Sequence, residues 1–285
     1  MKKTLIFILF AFLFVNLSAQ NTDIEIQLFK ACATGNYDDT KLLILNGANV
    51  NACNDDEIYP IHYAARNENG IEIVKLLIEK GADINAKDNY DITPLHIAAS
   101  NENGLEIVKF LIENGADMST DDDKWTPLHS AAINENGLEI VKFLIEKGMD
   151  VNAKSYFDGI PLHIAALSNN GFEIVKFLIE NGADVNAKNS EEKTPLFNAI
   201  FNDNGFEIIK LLIENGANVN TIDDLGQTPL YMALLNNIEL KIIKFLVENG
   251  ADVYAKDVYG RAPIDLAREN GNEEVLNYLL KVPRK

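Results

Sequence analysis

His62, His96, His129 and His163 each follow a proline by two residues and recur 34, 33 and 34 residues apart. Imidazoles in series are the raw material of a metal array or of general-base chemistry. Successive copies lie one repeat apart, on the order of 10 Å. That is too far to share an ion whose ligand bonds are about 2 Å long. Phe197, Tyr231 and Asp265 occupy the later copies. A packing site tolerates that drift and a ligand array does not, so a structural role is expected. Carboxylates recur as well, at Asp83, Asp117, Asp184 and Asp252, each closing a Gly-Ala-Asp triplet. Their place after a helix stop reads as turn chemistry, in which the side chain bonds to local backbone. Asp121, Asp122 and Asp123 lack the alternating ligands, central glycine and closing glutamate of a calcium loop. The chain has no serine elbow, phosphate-cradling glycine loop or zinc-protease motif. Cys32 falls where a helix should pack and Cys53 in an arm. A disulfide needs Cα atoms within about 7 Å, which that placement disfavours. No catalytic, cofactor or metal site is expected.

The elements that carry these residues repeat. Prolines recur at 60, 94, 127, 161, 195, 229 and 263, and glycines at 47, 81, 115, 148, 182, 216 and 250. All intervals are 34 residues except one of 33 in each series, which places the missing residue between Gly115 and Pro127. One unit shows the logic. Thr93 is an N-cap and Pro94 opens a short helix where its missing N–H costs nothing. Leu95, Ala98 and Ala99 form a narrow apolar face, and the alanines let a neighbour approach closely. Asn103-Gly104 marks a turn. Ile107, Val108, Leu111 and Ile112 form a stripe of period 3.6. Gly115 stops the second helix, and an extended hairpin follows. Helices this short need neighbours, and units stacked in register supply them.

The Thr-Pro-Leu-His-x-Ala-Ala element resembles the ankyrin repeat. So do the Glu-Ile-Val-Lys-x-Leu-Ile-Glu helix and the Asn-Gly-Ala-Asp-Val/Ile-Asn stop. The resemblance covers about residues 23–283. It implies an all-α solenoid of about eight helix-turn-helix plus hairpin units, forming one domain over 20–285. A capping repeat is expected at about 23–55, internal repeats at 56–258 and a second cap at 259–285. It also implies that the recurring histidine hydrogen-bonds across its turn. Departures are visible. Most units carry an extra residue in the helix–helix turn, as in Asn67-Glu68-Asn69-Gly70. The threonine before proline becomes Tyr59, Ile160 and Ala262, which should weaken the cap there. The end units are atypical, as expected where one face meets water.

Residues 1–19 read as a signal peptide. Lys2 and Lys3 precede the apolar run Leu5 to Val15, and Ser18-Ala19 supplies small residues for cleavage. An exported chain, periplasmic or secreted, is expected, and its texture looks bacterial. The run is short for a membrane span, so no insertion is expected after cleavage. The 285 residues carry 43 acids against 25 bases, a formal charge of -18. Loss of residues 1–19 takes the charge to -20. Such a balance argues against nucleic acid and anionic membrane as partners.

Function must then come from the surface. The hairpin tips carry Ile58, Tyr90, Trp125, Tyr156, Phe157, Leu225 and Tyr259. Asp91, Asp122, Asp123 and Asp158 lie among these aromatics. Rigid aromatics ringed by acids suit a protein partner, and a basic one above all. Tyr90, Trp125, Tyr156, Phe157 and Tyr259 with those four acids are the candidate partner-binding residues. The stretch from Tyr90 to Phe157 is the expected centre. The same aromatics could instead pack on the adjacent arm. The leading reading is a non-enzymatic binding module that works as a monomer. The alternatives are a secreted effector that binds a host protein and an envelope hydrolase. The hydrolase lacks a nucleophile or metal cluster in the sequence.

Overall fold

Proline presets φ for the first turn of a helix, and in the computed structural model each of the seven recurring prolines opens one. The structure describes residues 22–118 and 125–283. Among them are sixteen helices and no strand. They divide between two compact units, 1–118 and 119–285.

The first unit holds three helix pairs. They are α1 (Asp23–Thr34) with α2 (Tyr37–Leu45), α3 (Pro60–Arg66) with α4 (Ile71–Glu79), and α5 (Pro94–Ser100) with α6 (Leu105–Glu113). The first helix of each pair packs on the first helix of the next. The alanines set that contact: Ala64, Ala65, Ala98 and Ala99 have no accessible surface. The second helices bury Ile73, Val74 and Leu77, then Ile107, Val108 and Leu111, along the stripe expected from the sequence.

The second unit holds five pairs. They are α7 (Pro127–Ile133) with α8 (Leu138–Glu146), α9 (Pro161–Leu167) with α10 (Phe172–Glu180), and α11 (Pro195–Ile200) with α12 (Gly205–Glu214). Then come α13 (Pro229–Leu235) with α14 (Leu240–Glu248) and α15 (Pro263–Glu269) with α16 (Glu273–Leu279). Asn152, Asn186 and Asn220 tie successive hairpins together. Their Nδ2 groups donate to the carbonyls of Gly182, Gly216 and Gly250 at 3.0, 2.9 and 2.9 Å. Their Oδ1 atoms each accept an N–H, from Asp184, Asn218 and Asp252, at 2.8 Å. Asn51 does the same in the first unit, toward Gly81 and Asp83. Each amide is thus satisfied at both ends by backbone of the following repeat.

The first pair departs from expectation. Leu45 is 71% exposed at the place where the six following second helices end in glutamate. Leu42 is exposed beside it. The second helix of the first pair thus turns out two leucines among the exposed Asp38, Asp39 and Lys41, and the last pair turns out Leu280 among Glu273, Glu274, Asn277 and Lys281. Among the described residues no helix is long and apolar enough to cross a membrane. The expected signal peptide lies outside the described residues.

Candidate functional site

The histidines are structural bridges. His62, His129 and His163 are buried, and each Nε2 lies 2.9 to 3.1 Å from a carbonyl thirty residues on, those of Ile92, Gly159 and Lys193. Each Nδ1 accepts the N–H of the residue before the proline, from Tyr59, Thr126 and Ile160 at 3.1 to 3.2 Å. The neutral ring protonated at Nε2 satisfies both bonds. Burial pulls His62 down to about 4 and also lowers His163. The cap thus resides in the third helical residue as much as in the threonine. It therefore survives where threonine is absent: Tyr59 and Ile160 donate to their histidines, and Ala262 donates to Asp265 at 3.0 Å. Phe197 and Tyr231 fill the equivalent place as buried apolar rings. Burial and the Asp257 carboxylate push the Tyr231 phenol up.

Five of the hairpins are shaped from inside by one acidic or amide side chain. Asp88 Oδ1 accepts the N–H groups of Tyr90 and Ile92 at 2.8 and 2.9 Å. Asp223 accepts from Leu225 and Gln227, and Asp257 from Tyr259 and Arg261. Asn54 and Asn189 do the same. The recurring Asp or Asn six before a proline, replaced by Ser155 before Pro161, was the available sequence signal. Among the described residues, the backbone three before a recurring proline is left-handed, at Glu57, Asp91, Asp158 and Glu192 and then at Gly226 and Gly260. Asp83 and Asp184 bond to the N–H two residues on, the local turn role expected of them.

The tips form a tied row. In the second unit Ser190 N–H donates to Phe157 O at 2.8 Å, Asp224 N–H to Glu191 O at 3.2 Å, and Val258 N–H to Leu225 O at 3.0 Å. On that row Phe157 is 70% exposed, Tyr259 71%, and Tyr156 and Val258 more than half. Lys154 pairs with Asp158 at 3.6 Å and Lys188 with Glu192 at 2.8 Å. In the first unit Asn89 donates from its N–H to Asp56 O and from its side chain to Asp55 O. Tyr90 stands exposed next to it, and Asp91 lies 3.8 Å from Lys87. Asp122 and Asp123 lie outside the described residues.

Trp125 and Ile58 differ from the other tip residues. Ile58 is buried. Trp125 is half-buried, its indole N–H donates to Ser130 Oγ at 2.9 Å, and its ring lies 5.1 Å from that of His129. Both stand two residues before a proline, on the closing arm rather than the tip. Trp125→Ala is expected to destabilise the second unit by about 2 kcal/mol, through lost packing and an orphaned Ser130 hydroxyl. Urea unfolding followed by circular dichroism measures it. A change under about 0.5 kcal/mol would show that the indole packing does not support the second unit.

Cys32 and Cys53 are not joined to each other. Burial pushes the Cys32 thiol up to about 12, against a lowering hydrogen bond with Thr40. A thiol that remains protonated is a poor nucleophile. Among the described residues no three His, Cys, Asp or Glu side chains come together as metal ligands would.

Comparison with known families finds two matching descriptions. Ankyrin repeats (3 copies) match residues 28–122, 93–155, 162–257 and 196–284. Ankyrin repeats (many copies) match residues 132–179. No curated protein matches the chain.

Proposed function

The chain belongs to the ankyrin repeat family, a family of typically non-enzymatic protein–protein interaction modules, and on that premise we propose that it binds a protein partner through its hairpin tips. The observation that carries this reading is the tied row of the second unit. Phe157 and Tyr259 stand out into solvent there on hairpins joined by backbone bonds. Aromatic anchors on a rigid support lose little conformational entropy on binding, which is what a hot spot requires. The formal charge of -18 favours a basic partner. Export to the periplasm or the extracellular space is part of the proposal. It rests on the Lys2-Lys3 pair, the Leu5–Val15 run and the Ser18-Ala19 site.

The test is capture from envelope and medium extracts on immobilised residues 20–285, followed by Kd measurement on the retained protein. A Phe157→Ala, Tyr259→Ala double variant runs beside it. Both side chains are exposed, so the variant should fold normally. Affinity is expected to fall about 30-fold, the size of a 2 kcal/mol hot spot. A partner held equally by both forms would remove the second unit's tips from the interface.

A further inference from the structure

The residue before each proline divides the histidines into two kinds. Thr126 Oγ1 lies 2.8 Å from His129 Nδ1, and Thr93 Oγ1 lies 2.8 Å from His96 Nδ1. A hydroxyl donates and accepts, so it can turn a lone pair toward an Nδ1 that gains a proton. Before His62 and His163 stand Tyr59 and Ile160. Isoleucine has no oxygen to offer, and the Tyr59 hydroxyl is engaged with Cys53. At all four histidines Nδ1 faces the backbone N–H of the residue before the proline, at 3.1 to 3.2 Å, and at His62 and His163 that residue brings no hydroxyl to Nδ1 beside it. A proton on that nitrogen would set donor against donor.

The surroundings do not compensate. His163 is packed between its own helix and the next hairpin. Nε2 lies 3.0 Å from Lys193 O, the Ala187 carbonyl is adjacent, and Asp184 is the charged group that acts on it. His62 faces the carbonyls of Ile92 and Ala86, with the Tyr59 ring at 5.8 Å and His96 as its titratable neighbour. Asp184 favours a charged His163, yet burial outweighs it.

We propose that His62 and His163 are acid-labile joints in the repeat stack: a proton on Nδ1 sets donor against donor at the N-cap of the helix, and the ring that swings out to relieve it withdraws its Nε2–H from the hairpin carbonyl, while at His129 the threonine hydroxyl offers that proton an acceptor and the joint opens less. The sign follows from linkage. An opened joint takes up a proton near the ordinary histidine pKa of about 6.5, and the closed joint does so only at lower pH. Stability from these joints is therefore full above that pH and is lost as pH falls. The opening constant rises by up to about tenfold per pH unit. At His163 the freed hairpin carries Glu191 and Glu192, and its Ser190 N–H is bonded to Phe157 O. Acid would thus loosen two tips of the row. That consequence for binding rests on the function proposed above, whereas opening of the joint does not.

The experiment is hydrogen exchange on the full chain at pH 6.5 and 5.5, above the range where most carboxylates titrate. Rates are corrected for the intrinsic effect of pH. In the native chain, opening of α9 and of residues 189–193 is expected to rise about fivefold. In His163→Phe, which installs the ring the protein itself uses at Phe197, the rise should vanish. In Ile160→Thr, which supplies the missing acceptor, it should fall below about threefold. Equal rises in the native chain and His163→Phe would overturn the proposal. So would a rise in Ile160→Thr as steep as the native one. Should His163→Phe fail to fold, Ile160→Thr alone decides. No partner is needed, so failure here is distinct from failure of the binding proposal.

Discussion

Gly171→Ala is expected to destabilise the second unit by about 3 kcal/mol, far more than alanine usually costs in place of glycine. The reason is space. A Cβ at Gly171 would lie 1.9 Å from Ala165 O, 2.9 Å from Ala165 C and 3.0 Å from Ser168 O. All three are backbone atoms, so no flexible side chain can yield. The conformation itself is ordinary, with φ at -72°. Gly182 is the natural control. Its φ is +90°, and a Cβ there would meet nothing within 4 Å. Gly182→Ala should cost only the left-handed strain, about 1–2 kcal/mol. Urea unfolding of the two variants ranks them. If Gly182→Ala proves the more damaging, the close approach at Gly171 is not what holds that turn. The crowding has a visible origin. The turn residue preceding Gly171 bends the chain back over the end of α9, and the same approach recurs at Gly70, Gly104, Gly137 and Gly205.

Much of this was legible from spacing. Proline and glycine at a constant interval mark where helices start and stop, because each acts through its own backbone restriction. The apolar stripe then says which face is buried. The exposed tip residues were legible in part. Tyr90, Phe157, Leu225 and Tyr259 all stand four before a proline, at the outermost point of the hairpin. Trp125 was grouped with them by residue type, but its register is two before a proline, shared with Ile58 and Ile92. There the side chain turns back toward the following helix, so Trp125 packs on His129. The exposed Leu42 and Leu45 of α2 were not legible, because an end unit was expected to be atypical without the pattern saying which of its residues would stand in water. Spacing within one unit says nothing about which polar atoms of two units meet. The asparagine bridges and the Nε2 bonds of the histidines appear only once the repeats are stacked, whereas the Nδ1 caps are local and the resemblance already implied a bond across the turn.

Asn202→Leu is the sharpest test of such a bridge, with an expected cost of about 3 kcal/mol. Asn202 stands in the helix–helix turn, a place the sequence marks only as a turn. In the structure it is buried. Its Nδ2 donates to Ala166 O at 3.1 Å and Ser168 O at 2.7 Å, and its Oδ1 accepts Asn204 N–H at 2.8 Å. The two carbonyls lie at the C-terminal end of α9, where a helix leaves acceptors without partners of its own. One repeat therefore caps the helix of the repeat before it. The pattern recurs within each unit. Asn67 donates to Ala33 O at 2.8 Å, and Asn270 to Leu234 O at 2.7 Å. At Ser168 the hydroxyl performs the same task, toward Ala132 O at 3.2 Å. Leucine matches the volume of asparagine closely enough to fill the site but orphans all three groups, each worth about 1 kcal/mol. Asn202→Ser should recover part of the loss, as Ser168 shows. Hydrogen exchange should place the weakening at the contact between α9 and α11 rather than across the whole unit, because each repeat bonds only to its neighbours. An Asn202→Leu variant within about 0.5 kcal/mol of the native chain would show that helix contacts alone hold the joint.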